Sequence, residues 1–190
     1  MTITASIVWW VLGRPLLFSQ TRSGLNRRDF VIYKFRTMHD RLNAAGVPLP
    51  DRERETPVTR LLRRLRLDEF PQLLTVLSGE MALIGPRPLL PATIRQMGEL
   101  GRRRCEICPG ITGWAQVNGN TLLADQQKLA LDIWYVGNRS LWLDLKILVL
   151  TVDMLIRGER VNRANLAAAE AHVAARYPAP GAEPGLAPCD

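Results

Sequence analysis

Apolar residues fall in blocks along this chain, and the spacing inside each block selects its element. Ile3 to Phe18 is mostly apolar and carries Trp9 and Trp10, with Arg14 and Pro15 as interruptions. Leu16 to Arg22 and Phe30 to Thr37 flank the turn-rich Ser23-Gly24-Leu25-Asn26. The second run is rich in aromatic and β-branched residues, so the two predict a β-hairpin. Asn43 to Glu55, with Gly46, Pro48, Pro50 and several charges, predicts a loop. Thr56 before Pro57 marks a helix start, a capping hydroxyl followed by a proline in the first turn. Leu61, Leu62 and Leu65 then share a side. Asp68 predicts a second N-cap, because Phe70, Leu73, Leu74 and Leu77 follow at i, i+3, i+4 and i+7. Gly79 ends that helix.

Met81 to Ile84 predicts a short strand, Pro86-Arg87-Pro88 a rigid extended turn, and Pro91 to Gly101 another helix. Pro109 to Gly113 is a loop leading to a strand-like Trp114 to Val117. Leu122 to Val136 and Leu141 to Ile156 are the last two helices. The stripe of Leu145, Leu148, Val149, Val152 and Ile156 predicts core packing, with Trp142 placed to reach a membrane surface. Beyond Arg163 the chain turns Ala-rich and then Pro/Gly-rich, which predicts a disordered tail.

The resulting expectation is an α+β fold: a mostly helical single domain over residues 16–160, with a small β-hairpin. Residues 1–15 form a membrane-associating segment and 161–190 the tail. The apolar N-terminal block is too short to cross a hydrocarbon core of about 30 Å, which takes about 20 apolar residues. It has no basic leader or small-residue cleavage site, so an interfacial position with Trp at headgroup depth is expected.

Charge narrows the partners. Lys and Arg number 25 against 18 Asp and Glu, for a net charge of +7 and a pI near 10. Such a balance favours nucleic acid, an acidic membrane surface or a phosphorylated substrate. Aromatic residues are only 6% of the chain and offer no base-stacking platform, so nucleic acid is not the expected partner. Lysine occurs only at Lys34, Lys128 and Lys146. Guanidinium groups suit bidentate phosphate recognition, although high genomic GC content produces the same bias. Cys105-x-x-Cys108 has the spacing of a redox pair or half a zinc site. No second pair follows and His39 and His172 are isolated, so two reduced thiols beside a turn are expected.

The candidate chemistry centres on Asp68-Glu69, preceded by Arg63, Arg64 and Arg66. Of two neighbouring carboxylates, one can attack phosphorus while the other positions a divalent metal. Mg²⁺ suits, since it binds one or two carboxylates and keeps waters and phosphate oxygens. On spacing alone, plain capping by Asp68 with a solvated Glu69 is the stronger reading. Arg63 lies little more than a helical turn before Asp68, and Arg87 sits between two prolines, where a guanidinium loses little entropy on clamping an anion. Gly110, Thr112 and Gly113 offer backbone N–H groups to a phosphate. Lys34 and Arg36 share one strand face, facing either solvent or an anion.

Five motifs occur in one order: Lys34-Phe35-Arg36-Thr37-Met38, Leu67-Asp68-Glu69-Phe70-Pro71-Gln72-Leu73, Gly85-Pro86-Arg87-Pro88, the run from Pro109 to Gly119, and Trp142-Leu143-Asp144-Leu145-Lys146-Ile147-Leu148. In these the chain resembles, over about Leu16 to Ile156, the bacterial sugar transferases. These are small monotopic phosphoglycosyltransferases that start glycan and exopolysaccharide assembly. The resemblance implies transfer of a sugar-1-phosphate from a UDP-sugar to polyprenol (undecaprenyl) phosphate, with release of UMP, at the cytoplasmic face of the bacterial inner membrane. It implies that Asp68 is the nucleophile and that Glu69 completes the pair and helps hold Mg²⁺. Arg63 and Arg87 match arginines that bind substrate phosphate. It also implies a longer apolar N-terminus, a helix broken inside one leaflet. Ile3 to Leu12 matches only its returning half, so the chain is expected to be N-terminally short. Two alternatives stand beside this reading: a non-enzymatic basic module binding acidic lipid or nucleic acid, and an inactive truncated transferase.

Overall fold

A computed structural model describes residues 2–178. Helix α1 (Thr2–Leu12) buries Thr4 and Val8, one turn apart, and leaves Trp9 and Trp10 exposed. It ends at Gly13, whose φ of +70° closes the last turn. Arg36 then donates to the carbonyls of Leu12, Gly13 and Arg14, satisfying acceptors that the helix end leaves open. The predicted hairpin is present: β1 (Leu17–Ser23) pairs antiparallel with β2 (Asp29–Phe35), Leu17 opposite Phe35 and Ser23 opposite Asp29. Alternation along β2 buries Phe30 and Ile32 on one face, against Met81, and gives Lys34 the third place on that face. Phe35, on the other face, packs with Val8 and Leu62.

The predicted loop contains one helical turn, α2 (Asp51–Arg54). Helix α3 (Pro57–Arg64) starts as expected, with reciprocal hydrogen bonds between Thr56 and Thr59. The expected N-cap at Asp68 is not formed. Arg66 takes a left-handed backbone (φ 54°), and Leu67–Glu69 coil into a 3₁₀ turn with Asp68 in its middle. Only after Pro71 does α4 (Gln72–Leu77) begin, and it faces opposite to its hydrophobic pattern. Gln72 and Thr75 are buried, whereas Phe70, Leu73, Leu74 and Leu77 are exposed.

β3 (Ala82–Ile84) is the predicted short strand. The helix predicted from Pro91 to Gly101 divides into α5 (Pro91–Gln96) and α6 (Gly98–Arg104), because Gly98 adopts φ +56°. β4 (Gly110–Thr112) lies parallel to β3, and the strand expected at Trp114 to Val117 is instead helix α7 (Trp114–Val117). Helices α8 (Asp125–Asn138) and α9 (Leu141–Arg157) follow. A further helix, α10 (Arg163–Arg176), occupies part of the expected disordered tail and buries Leu166 and Ala169 in the same core as Leu131 and Tyr135 of α8. Residues 179–190, which hold the rest of that tail, lie outside the described residues.

The main core joins α7, α8, α9 and α10. Trp114 stacks on Trp134 with ring centroids 5.3 Å apart, and Ile147 is fully buried beside them. Tyr135 donates to Asp144 at 2.6 Å, tying α8 to α9. The stripe predicted to pack α9 inward is corrected by the structure. Ile147 and Met154 are its buried residues, while Leu145, Leu148, Val149, Val152 and Ile156 stay exposed alongside Leu141 and Trp142. Among the described residues no helix is long and apolar enough to cross a membrane.

Candidate active site

Three structural devices converge on one cavity of about 690 Å³. The third inward position of β2 delivers Lys34, the strained entry at Arg66 delivers Asp68 and Glu69, and the proline-framed turn after β3 delivers Arg87. All five residues line the cavity together with Arg63, Arg104, Gln116, Lys128, Asp132 and Glu159. All four residues named from sequence, Arg63, Asp68, Glu69 and Arg87, therefore line one cavity.

The two carboxylates are both buried but have unlike surroundings. Glu69 Oε1 accepts from Lys34 Nζ at 2.8 Å and from Arg87 Nη2 at 2.5 Å, and Arg66 Nη1 lies 3.5 Å from Oε2. Burial alone would raise the Glu69 carboxyl, but Arg87, Lys34 and Arg66 more than offset it and hold it down at about 2. Asp68 has no such cage. Burial, reinforced by the negative charge of Glu69, pushes it up to about 6 against the weaker pull of Lys34 and Arg63. Glu69 is thus a fixed anion that organises three cations, and Asp68 is a carboxylate poised near neutrality.

Arg63 is paired with Glu55 rather than with Glu69, and its charge reaches Asp68 through space. Of the two basic residues expected on one strand face, only Lys34 enters the site; Arg36 is spent on the end of α1. Of the three backbone N–H groups expected to face an anion, that of Gly110 is taken up within the fold. The Gly110 N–H donates to Pro86 at 3.0 Å, and a Cβ on Gly110 would sit 2.1 Å from the Gly85 nitrogen. On Gly113 it would meet the Gly85 carbonyl oxygen at the same distance. These glycines allow β4 to run against the strand that carries the Pro-Arg-Pro turn.

A magnesium ion fits the donor set. Glu69 Oε2 is buried with no hydrogen-bond partner, and Asp68 makes no side-chain hydrogen bond to a neighbouring residue, so oxygen lone pairs remain free for a hard cation. Among the described residues no group of three or more His, Cys, Asp or Glu is poised to hold a metal. A two-carboxylate site completed by water and phosphate oxygens is what these residues can build. Cys105 is buried, Cys108 is partly buried, and neither is in a disulfide, as expected for reduced thiols; Cys189 lies outside the described residues.

Sequence reasoning left Arg66 without a role and missed Arg104, Asp132 and Glu159. Arg104 and Asp132 form a buried pair, Nε to Oδ2 at 2.8 Å. Arg104 is hidden in a run of three arginines whose other members, Arg102 and Arg103, pair with Glu99 and Glu106 on the surface. Asp132 did carry a signal, as an acid flanked by Leu131 and Ile133 in an apolar stretch of α8. Glu159 accepts from Asn120, from the Thr121 N–H at 3.1 Å and from the Thr121 hydroxyl, so it ties the segment after α9 to the turn after α7.

The arrangement is a buried carboxylate pair under basic residues, set in one cavity of a mixed fold of helices and small sheets. Known proteins are similar to this chain in sequence. The family model for bacterial sugar transferases matches residues 1–158, and the chain belongs to that family. EpsL of Bacillus subtilis (strain 168), an uncharacterized sugar transferase, is 47% identical over 167 residues, covering 88% of this chain and 83% of EpsL. A UDP-glucose:undecaprenyl-phosphate glucose-1-phosphate transferase of Caulobacter vibrioides is 44% identical, covering 75% of this chain and 57% of the relative. The undecaprenyl-phosphate glucose phosphotransferase of Komagataeibacter xylinus is 42% identical, covering 73% of this chain and 29% of that protein. The chain thus spans less than two thirds of the Caulobacter relative and less than a third of the Komagataeibacter one.

Proposed function

We propose that this chain is a phosphoglycosyltransferase that moves a sugar-1-phosphate from a UDP-sugar to undecaprenyl phosphate in two displacements. In the first, an Asp68 carboxylate oxygen attacks the sugar-linked phosphorus. The phosphorus–oxygen bond to the uridine-bearing phosphate breaks, and UMP leaves. In the second, a phosphate oxygen of the polyprenol attacks the same phosphorus and the bond to Asp68 breaks, freeing the carboxylate and leaving a polyprenol diphosphate sugar. The activities for which the Caulobacter and Komagataeibacter relatives are named support this class of reaction.

The carrying observation is the asymmetry of the pair. Glu69 is neutralised by Lys34, Arg66 and Arg87, whereas Asp68 faces the same cavity free of a side-chain partner. A nucleophile needs one carboxylate oxygen free of any side-chain partner, which leaves the other for a metal ion, and its neighbour must keep cations in place while charge moves onto the leaving phosphate. Arg87, half-exposed on its turn, and Arg63, anchored through Glu55, are the residues that bind the diphosphate. Mg²⁺ held by Asp68 and Glu69 would supply neutralisation of the diphosphate's negative charge.

The exposed apolar faces of α1, α4 and α9 fit docking at the cytoplasmic face of the inner membrane, where Trp9, Trp10 and Trp142 would lie among headgroups. The test is UMP release from a panel of UDP-sugars with Mg²⁺ and undecaprenyl phosphate, together with intact-mass measurement. Wild type should release UMP and carry a phosphosugar adduct that is lost in Asp68→Asn. UMP release that survives Asp68→Asn would sink the role of Asp68.

A further inference from the structure

The Pro86-Arg87-Pro88 turn cannot hold itself in place, since its two prolines supply no N–H and leave three carbonyls with one internal donor. Each carbonyl is taken from outside. Pro86 accepts from the Gly110 N–H at 3.0 Å, Pro88 accepts from Arg22 Nη1 at 3.4 Å, and Arg87 accepts from Arg104 Nη2. Arg104 is 4% exposed, and its Nε is fixed by Asp132 Oδ2 at 2.8 Å. The planar guanidinium therefore spans α8 on one edge and the backbone of Arg87 on the other. Both members of the pair also line the catalytic cavity.

Stability gives no sufficient reason for this pair, because replacing a buried ion pair with apolar residues is often neutral or stabilising. Geometry does. The Arg87 guanidinium touches Glu69 Oε1, and that contact depends on where the turn's backbone sits. We propose that Arg104, oriented by Asp132, is a positioning residue for Arg87: it fixes the turn so that the Arg87 guanidinium stays on Glu69 and aimed into the cavity. Asp132 has a second task, to neutralise Arg104 so that no unpaired cation competes with Arg87 for the substrate diphosphate. The kinetic part of this inference rests on the transferase reading above; the geometric part does not.

Arg104→Lys keeps the charge and loses the two-edged fork. With the full chain and UDP-sugar, it should lower kcat for UMP release by about ten- to a hundredfold, the scale of a misplacement near 1 Å. In an Arg87→Ala background the same substitution should change the rate less than twofold. Equal losses in both backgrounds, or no loss in the wild-type background, would overturn the proposal. A second measurement needs no activity. Urea unfolding of Glu69→Gln, Arg87→Gln and the double variant gives the Glu69–Arg87 coupling, first with Arg104 present and then with Arg104→Lys. The coupling should fall by at least half, and full retention refutes positioning. If wild type releases no UMP from any UDP-sugar, the transferase reading fails while the unfolding cycle still decides the role of Arg104.

Discussion

Asp68 and Glu69 are neighbours in one 3₁₀ turn, similarly buried, and pulled in opposite directions: about 6 for one and about 2 for the other. The division follows from where three cations sit, and it predicts pH behaviour with definite signs. A raised carboxyl must lose its proton before it can attack, so UMP formation should fall about tenfold per pH unit below about 6, read as kcat/KM across a pH series. Glu69 has the opposite linkage. Its folded value lies below its unfolded one, so its stabilisation is present above about pH 4.5 and lost as pH falls through about 2. Glu69→Gln should therefore destabilise the fold at pH 7 by on the order of 3 kcal/mol, as it strands three cations. The difference from wild type should shrink as pH falls from 4.5 toward 2, measured by urea unfolding. The sequence shows the doublet and the arginines but not which acid the cations choose. That depends on Lys34 arriving from β2, 35 residues away.

At the scale of elements, what could be read from the sequence was local. The Thr56 cap with Pro57, the hairpin and the Gly79 stop each depend on contacts within a few residues, and each forms as expected. What failed was non-local. α4 and α9 have helical apolar spacing, yet Leu73, Leu74 and Leu77 of the first and Leu145, Leu148, Val149 and Val152 of the second are exposed, because periodicity identifies a stripe and not what covers it. Trp114 to Val117 has strand-like composition, but Gly110–Thr112 takes the sheet position because only a glycine can pass Gly85 so closely. That crowding yields a prediction. Gly110→Ala forces a Cβ to within 2.1 Å of the Gly85 nitrogen and should displace β3 together with the Arg87 turn. A loss of about 2–4 kcal/mol in unfolding free energy is expected, with UMP release reduced in the fraction that still folds. An unchanged midpoint would show that β3 and β4 are less closely paired than described.

For the molecule as a whole, the question is what meets the outward-facing apolar residues. Leu77 is 83% exposed and Trp142 81%, on a chain with a net charge of +7. An anionic bilayer surface meets both properties at once: it takes apolar side chains into its interface and attracts the basic residues around them. Each leucine or tryptophan moved out of water contributes roughly 1.5–3 kcal/mol, so two such contacts control binding over a factor of ten or more. Leu74→Glu/Leu77→Glu on α4 and Trp142→Glu on α9 should hardly alter thermal unfolding, because most of each side chain is exposed in the fold. Both should lower co-flotation with phosphatidylglycerol-containing vesicles at least tenfold, while UMP release with a detergent-dispersed polyprenol phosphate changes little. High salt tests the other half of the attraction. If 1 M NaCl releases wild type completely and the glutamate variants float as well as wild type at low salt, charge alone holds the chain at the surface. The apolar faces of α4 and α9 would then be waiting for a different partner.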